Sequence, residues 1–149
     1  MLTVKYHLET EEAKKPTRAD NLSSGHDLYA AEEVLLMPNQ SKLISTGVRI
    51  QMLSSGDKLY EAQVRPRSGL ALKHGITVLN TPGTIDQGYT GPVGVILYNT
   101  SLQPYTVNVG DRIAQLVYVK VEVPTWLEVD YQEFSATERG GGGFGSSGK

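Results

Sequence analysis

The 149-residue chain contains no cysteine, which excludes a disulfide scaffold, a thiolate metal site and a cysteine nucleophile. A chain without thiols suits a reducing compartment. An excess of either charge is also lacking. Fourteen Lys and Arg stand against sixteen Asp and Glu, a formal net charge of -2, without the basic footprint of a nucleic-acid binder. No apolar run approaches the ~20 residues that span a bilayer. The N-terminus, Met1-Leu2-Thr3-Val4-Lys5-Tyr6, enters strand-like alternation directly, without the basic head and apolar run of a secretory signal. The expectation is a soluble, cytoplasmic protein with no nucleic-acid or membrane partner. His7, His26 and His74 show no ligand spacing, which argues against zinc, and no G-x-S-x-G nucleophile motif occurs.

Helical periodicity is nearly absent as well, and short strands take its place. Val4–Leu8 alternates like an edge strand, and the polar stretch Glu9–Ser24 with Pro16 reads as a surface loop. Strands are expected at Gly25–Ala30, Val34–Met37, Lys42–Gln51, Leu59–Val64, Val93–Asn99, Tyr105–Val109 and Ile113–Val123, separated by Gly-, Pro-, Asn- and Ser-rich turns. Val95-Ile96-Leu97 is apolar on both faces, which predicts a central strand covered on both sides. Such spacing predicts an all-β, antiparallel sandwich or barrel. The length suits one domain.

Three stretches carry candidate chemistry. The first is Leu79–Gly91, between the apolar runs Gly75–Leu79 and Val93–Asn99. It holds Asn80, Asp86 and Tyr89 among Pro82, Gly83, Gly88 and Gly91, and reads as a tight, irregular hairpin. Asp86 follows the β-branched pair Thr84-Ile85, so a strand edge aims its carboxylate. An Asx-type turn is the other reading.

The second is Arg65–Gly75, the one helix-like segment, with Ser68 as N-cap and Gly75 as C′ residue. Free amides, the Arg67 fork and the Ser68 hydroxyl converge there on a phosphate-binding geometry; a capped surface helix with a solvated arginine is the alternative.

The third is the tail. Residues 1–134 read as the core domain and 135–149 as a flexible glycine-rich arm. The arm's Arg139, Phe144, Gly145, Ser146 and Ser147 suit folding over a ligand, with phosphate wrapped by amides and a ring stacked on Phe144. Gly143–Gly148 fits G-x-G-x-x-G, but no strand–loop–helix surrounds it, so a Rossmann or P-loop reading fails. Gln115 is the one polar residue within Ile113–Val119 and needs a partner if buried.

Five segments in order, Gly25–Ala30, Pro66–Gly75, Asn80–Gly91, Gly110–Val117 and Arg139–Gly148, resemble the trimeric deoxyuridine triphosphatase (dUTPase) family across nearly the whole chain. The resemblance implies a jelly-roll-type β-sandwich with one short helix and a homotrimer with shared, composite active sites. It also implies hydrolysis of dUTP to dUMP and pyrophosphate with Mg²⁺. Asp86 resembles the acid that activates the water attacking the α-phosphorus, and Tyr89 the ring that packs on deoxyribose and excludes a 2′-hydroxyl. Asn80 and the backbone through Thr84 and Ile85 resemble the uracil-reading hairpin. Arg67, Ser68, Gly69 and Gln115 match phosphate-binding positions, Asp27 the acid that holds Mg²⁺ through water, and Arg139, Phe144, Gly145, Ser146 and Ser147 the closing arm.

The family commonly has Arg-Gly-Glu after the tyrosine, where this chain has Thr90-Gly91-Pro92; an ion pair near the hairpin is thereby lost. The related dCTP deaminases carry a catalytic glutamate on the strand after the hairpin, and Val95–Asn99 has no acid. A non-catalytic nucleotide-binding protein on the same scaffold is disfavoured by Asp86 and the complete arm.

Overall fold

The computed structural model describes residues 1–134 and 137–143. Its strands are β1 (Leu2–Leu8), β2 (His26–Tyr29), β3 (Val34–Leu36), β4 (Ser41–Ser54), β5 (Leu59–Arg65), β6 (Ile76–Val78), β7 (Gly83–Asp86), β8 (Pro92–Asn99), β9 (Tyr105–Val107) and β10 (Arg112–Val121). The helix α1 spans Ser68–His74, and a 3-10 turn spans Tyr131–Glu133. There are two four-stranded sheets, ordered β1-β4-β8-β6 and β2-β10-β5-β7, and a separate two-stranded ribbon β3-β9, and every pairing is antiparallel. Alternation along each strand sends one set of side chains inward, so Leu28, Ile44, Val95, Leu97, Ile113 and Leu116 form one core shared by both sheets. No helix among the described residues is long and apolar enough to cross a membrane.

The all-β expectation is met, with three corrections. First, α1 starts one residue earlier than its serine suggests. Arg67 is the N-cap in extended conformation, Ala71 N donates to Arg67 O at 3.1 Å, and Ser68 is already helical and makes no capping bond. Gly75 ends the helix as expected, at φ 67° in the left-handed region where a Cβ is costly.

Second, the segment between β6 and β8 is more than a hairpin loop. β6 pairs with β8 in one sheet (Val78 opposite Leu97), but residues 79–91 cross to the other sheet. There Gly83–Asp86 become β7, the free edge beside β5, with Glu61 opposite Asp86. Third, β8 is central, but only its inner face is fully buried; on the outer face Gly94 and Ile96 line a cleft.

After β10 none of the described residues pairs in a strand. Trp126 is 91% exposed, and Leu127 and Tyr131 are similarly bare, an unusual display for large apolar side chains.

Candidate active site

The excursion 79–91 builds one half of the site. Asn80, Thr84, Ile85, Asp86 and Tyr89 line a cleft of about 450 Å³ whose floor is Leu43, Gly94 and Ile96 of the neighbouring sheet. That volume fits a small-molecule ligand site. Gly83 lets the Asn80 carboxamide come close, since a Cβ there would stand 3.0 Å from Asn80 Nδ2. The turn after Asp86 closes through the backbone, with Tyr89 N donating to Asp86 O at 3.0 Å. The carboxylate is therefore not the acceptor that shapes the turn, and it stands exposed at the end of β7. Tyr89 folds back over Gly91, its hydroxyl donating to Pro92 O at 2.9 Å. Arg49 of β4, paired with Glu9 at 2.5 Å, donates to Thr90 O at 3.3 Å, so a cation still anchors the hairpin where the Arg-Gly-Glu pattern is missing.

A second pocket, of about 410 Å³, gathers Asp27, Arg67, Ser68, Gly69 and Gln115. It also contains Arg112, which the sequence reading passed over. Arg67 Nε lies 3.2 Å from Asp27 Oδ1 and Arg112 Nη1 lies 3.4 Å from Asp27 Oδ2. Arg67 Nη1 donates to Arg112 O at 3.0 Å. Two guanidinium groups on one carboxylate leave net positive charge with spare N–H donors, the complement of a polyanion. Gln115 donates to Pro66 O at 2.9 Å, which supplies the partner its burial requires. Gly25 is the other residue missed. A Cβ on it would fall 2.0 Å from Gln115 Oε1, so only glycine leaves room for that side chain.

The two halves do not meet within one chain. In the order β2-β10-β5-β7, Asp27 and Asp86 occupy opposite edges, three inter-strand steps of about 4.8 Å apart. Gln115 is opposite both Asp27 and Arg65, and Glu61 opposite Asp86, so four residues of about 3.3 Å separate them along β5. The combined separation is roughly 20 Å, more than a triphosphate can bridge. Arg139 joins neither pocket; it is exposed and its Nε donates to Gly142 O at 2.8 Å. Phe144, Gly145, Ser146 and Ser147 lie outside the described residues.

The family model for dUTPase matches residues 11–148. The chain belongs to the dUTPase family. It is 50% identical over 126 residues to the deoxyuridine 5'-triphosphate nucleotidohydrolase of Solibacter usitatus, an alignment covering 85% of this chain and 81% of that protein. Its fold is similar to that of a mutant dUTPase of Staphylococcus bacteriophage 80alpha with dUpNHpp, at a TM-score of 0.87 and 29% identity over 99% of both chains. A mutant dUTPase of the Staphylococcus aureus phage phi11, described for its coordination of a structural Mg(II) ion, is similar at a TM-score of 0.78 and 27% identity, covering 90% of this chain and 99% of that one.

Proposed function

We propose that the chain hydrolyses dUTP to dUMP and pyrophosphate, with Asp86 as the general base. The observation that carries this reading is the exposed Asp86 carboxylate on the wall of a cleft of ligand size, beside Asn80 and Tyr89. Uracil enters between Asn80 and the backbone of Thr84 and Ile85, and Tyr89 packs on the deoxyribose, where a 2′-hydroxyl has no room. Asp86 accepts a proton from a water that attacks the α-phosphorus. The new bond is P–O from that water; the bond that breaks joins the α-phosphorus to the bridging oxygen, which leaves with pyrophosphate. Arg67, Arg112, Ser68, the Gly69 amide and Gln115 hold the departing phosphates and stabilise charge as it accumulates there.

The donor set fits Mg²⁺ held chiefly by substrate. Among the described residues no group of three or more acidic or histidine side chains could cage an ion. Asp27 keeps lone pairs free beside its two arginine contacts and would be the residue to hold Mg²⁺ through water. The ion, when bound, would neutralise phosphate charge.

The working unit in this reading is a cytoplasmic homotrimer whose active sites are shared between chains. Half-sites roughly 20 Å apart in one chain require a partner to complete them. Bare Trp126, Leu127 and Tyr131 offer apolar surface for burial on a neighbour. By the family resemblance, the segment 135–149, which includes Arg139, would contribute to the nucleotide site.

Pyrophosphate release from dUTP by the wild-type chain and by Asp86→Asn tests the reading. The variant should bind a non-hydrolysable dUTP analogue normally and lose about two or more orders of magnitude in kcat. Wild-type turnover in a folded Asp86→Asn protein would refute it. Co-expression of Asp86→Asn with a chain cut after Ser135 tests the sharing. About a quarter of wild-type activity should return if carboxylate and arm come from different chains, and none if they come from one.

A further inference from the structure

Asp86 is the last paired residue of β7, and among the described residues β7 is an edge strand whose ladder partner is β5 alone. The register that puts Glu61 opposite Asp86 would next put Tyr60 opposite Gln87. The backbone ladder stops short of that pair, because the chain turns away through the Tyr89 N to Asp86 O bond. The Gln87 side chain takes the place of the next backbone acceptor. Its Oε1 accepts from Tyr60 N at 2.8 Å, and its Nε2 donates to Ser54 Oγ at 3.2 Å. Ser54 Oγ itself donates to Lys58 O at 2.5 Å, so towards Gln87 the hydroxyl acts as acceptor. The amide is thus held in one orientation, acceptor facing a donor and donor facing an acceptor. Ser54 ends β4 of one sheet, and Tyr60 lies in β5 of the other. One part-buried side chain therefore ties the end of an edge strand to both sheets, one residue beyond Asp86.

We propose that Gln87 is a positioning residue for hydrolysis: its amide fixes where the Asp86 carboxylate stands relative to a nucleotide in the cleft. This rests on the reading of Asp86 as general base. Gln87 does not line the cleft, whereas Asp86 and Tyr89 on either side of it do. It has no route to the substrate except through its neighbours. A base acts only within hydrogen-bond reach of its water, and a misplacement of about 1 Å can cost as much as a hundredfold in rate. The effect of losing the latch therefore falls on kcat. Nucleotide affinity, set by the cleft and the phosphate pocket, stays nearly as it was.

Two substitutions separate the latch from simple packing. Gln87→Met keeps the volume and loses both hydrogen bonds. Gln87→Glu keeps an acceptor for Tyr60 N, and charge strengthens that bond. Both are compared in the full-length protein with Asp86→Asn and with the double variant Asp86→Asn/Gln87→Met. The readouts are kcat and KM for dUTP, Kd for a non-hydrolysable dUTP analogue, and hydrogen exchange of the Tyr60 amide.

In Gln87→Met, Tyr60 exchange should accelerate, and kcat should fall about tenfold or more while the analogue Kd stays within about twofold. Gln87→Glu should keep slow Tyr60 exchange but, having lost the donor to Ser54 Oγ, recover only part of kcat. In the Asp86→Asn background Gln87→Met should cost nothing further, because a positioning residue has no effect once its base is gone. Full kcat in Gln87→Met, unchanged Tyr60 exchange, or a kcat loss matched by an equal loss of analogue affinity would each overturn the proposal. Full activity in Asp86→Asn alone would instead overturn the assignment of the base, and the inference with it. The single variants thus tell the two failures apart.

Discussion

Gly25→Ala is a one-carbon change whose consequence can be worked from the coordinates. The added Cβ would stand 2.0 Å from Gln115 Oε1, 2.9 Å from its Cδ and 3.1 Å from its Cβ. The first of these distances cannot persist, so the Gln115 carboxamide must shift, and its 2.9 Å bond to Pro66 O is expected to be lost. Loss of that neutral bond costs stability by about 1 kcal/mol. For a chain of this size that lowers Tm by about 2–4 °C.

The functional cost should be larger. A hydrogen bond to a charged phosphate contributes about 1.5–3 kcal/mol, so kcat/KM for dUTP should fall roughly tenfold to a hundredfold. The assay is a double-mutant cycle with Gln115→Ala, reading Tm and kcat/KM at each corner. Most of the alanine's functional penalty should disappear when residue 115 lacks its carboxamide, because only the 3.1 Å contact to Cβ remains. Additive penalties in the cycle, or kcat/KM within about twofold of wild type in Gly25→Ala, would refute the reasoning.

Three further outcomes are expected. A Cβ at Gly91 would lie 2.4 Å from the Tyr89 hydroxyl, so Gly91→Ala should displace the ring and shrink the kcat/KM preference for dUTP over UTP by about tenfold; an unchanged ratio would put sugar discrimination elsewhere. Asp27→Asn removes the charge between Arg67 and Arg112 and should raise the Mg²⁺ concentration for half-maximal activity, while an unmoved midpoint in a Mg²⁺ titration would detach Asp27 from the ion. Burial, aided by the Arg18 charge, holds the His26 pKa below its ordinary 6.5. The unfolded chain then binds the proton more readily, so stability should fall as pH drops through 6.5 towards the folded-state value. Melting curves of His26→Asn should lack that part of the acid loss.

What was legible in the sequence was what short-range pattern encodes. Alternation placed the strands, because a period of two decides which side chains a sheet can bury. Gly75 announced the helix end because few other residues accept its backbone conformation. The helix start was misread because Ser68 is a good capping residue by type, yet Arg67 already has the extended backbone and the first helical acceptor. Nothing local marks which sheet a strand will join, so β7 looked like part of a hairpin when it is the edge partner of β5. Arg112 was hidden for a similar reason. It follows an ordinary Gly110-Asp111 turn, and its partner Asp27 is 85 residues away in the chain. Gly25 reads as a strand entry until Gln115 is seen lying across it.

The two halves of the site illustrate why residue types alone mislead about assembly. Asp86 and Asp27 are both carboxylates on the edge strands of one sheet, and a list of conspicuous polar residues would combine them into one centre. Register forbids this, because strand spacing and rise along β5 fix their separation at roughly 20 Å whatever the side-chain rotamers do. On the function proposed above, two complementary pockets at that distance, on a chain that also leaves Trp126 bare, are each completed by a neighbouring copy. The same geometry explains the demand on Gln87. In that reading the acid meets phosphates held by another chain and needs a fixed position on its own, which an edge strand with one ladder partner among the described residues does not provide. The amide that bridges Tyr60 and Ser54 does.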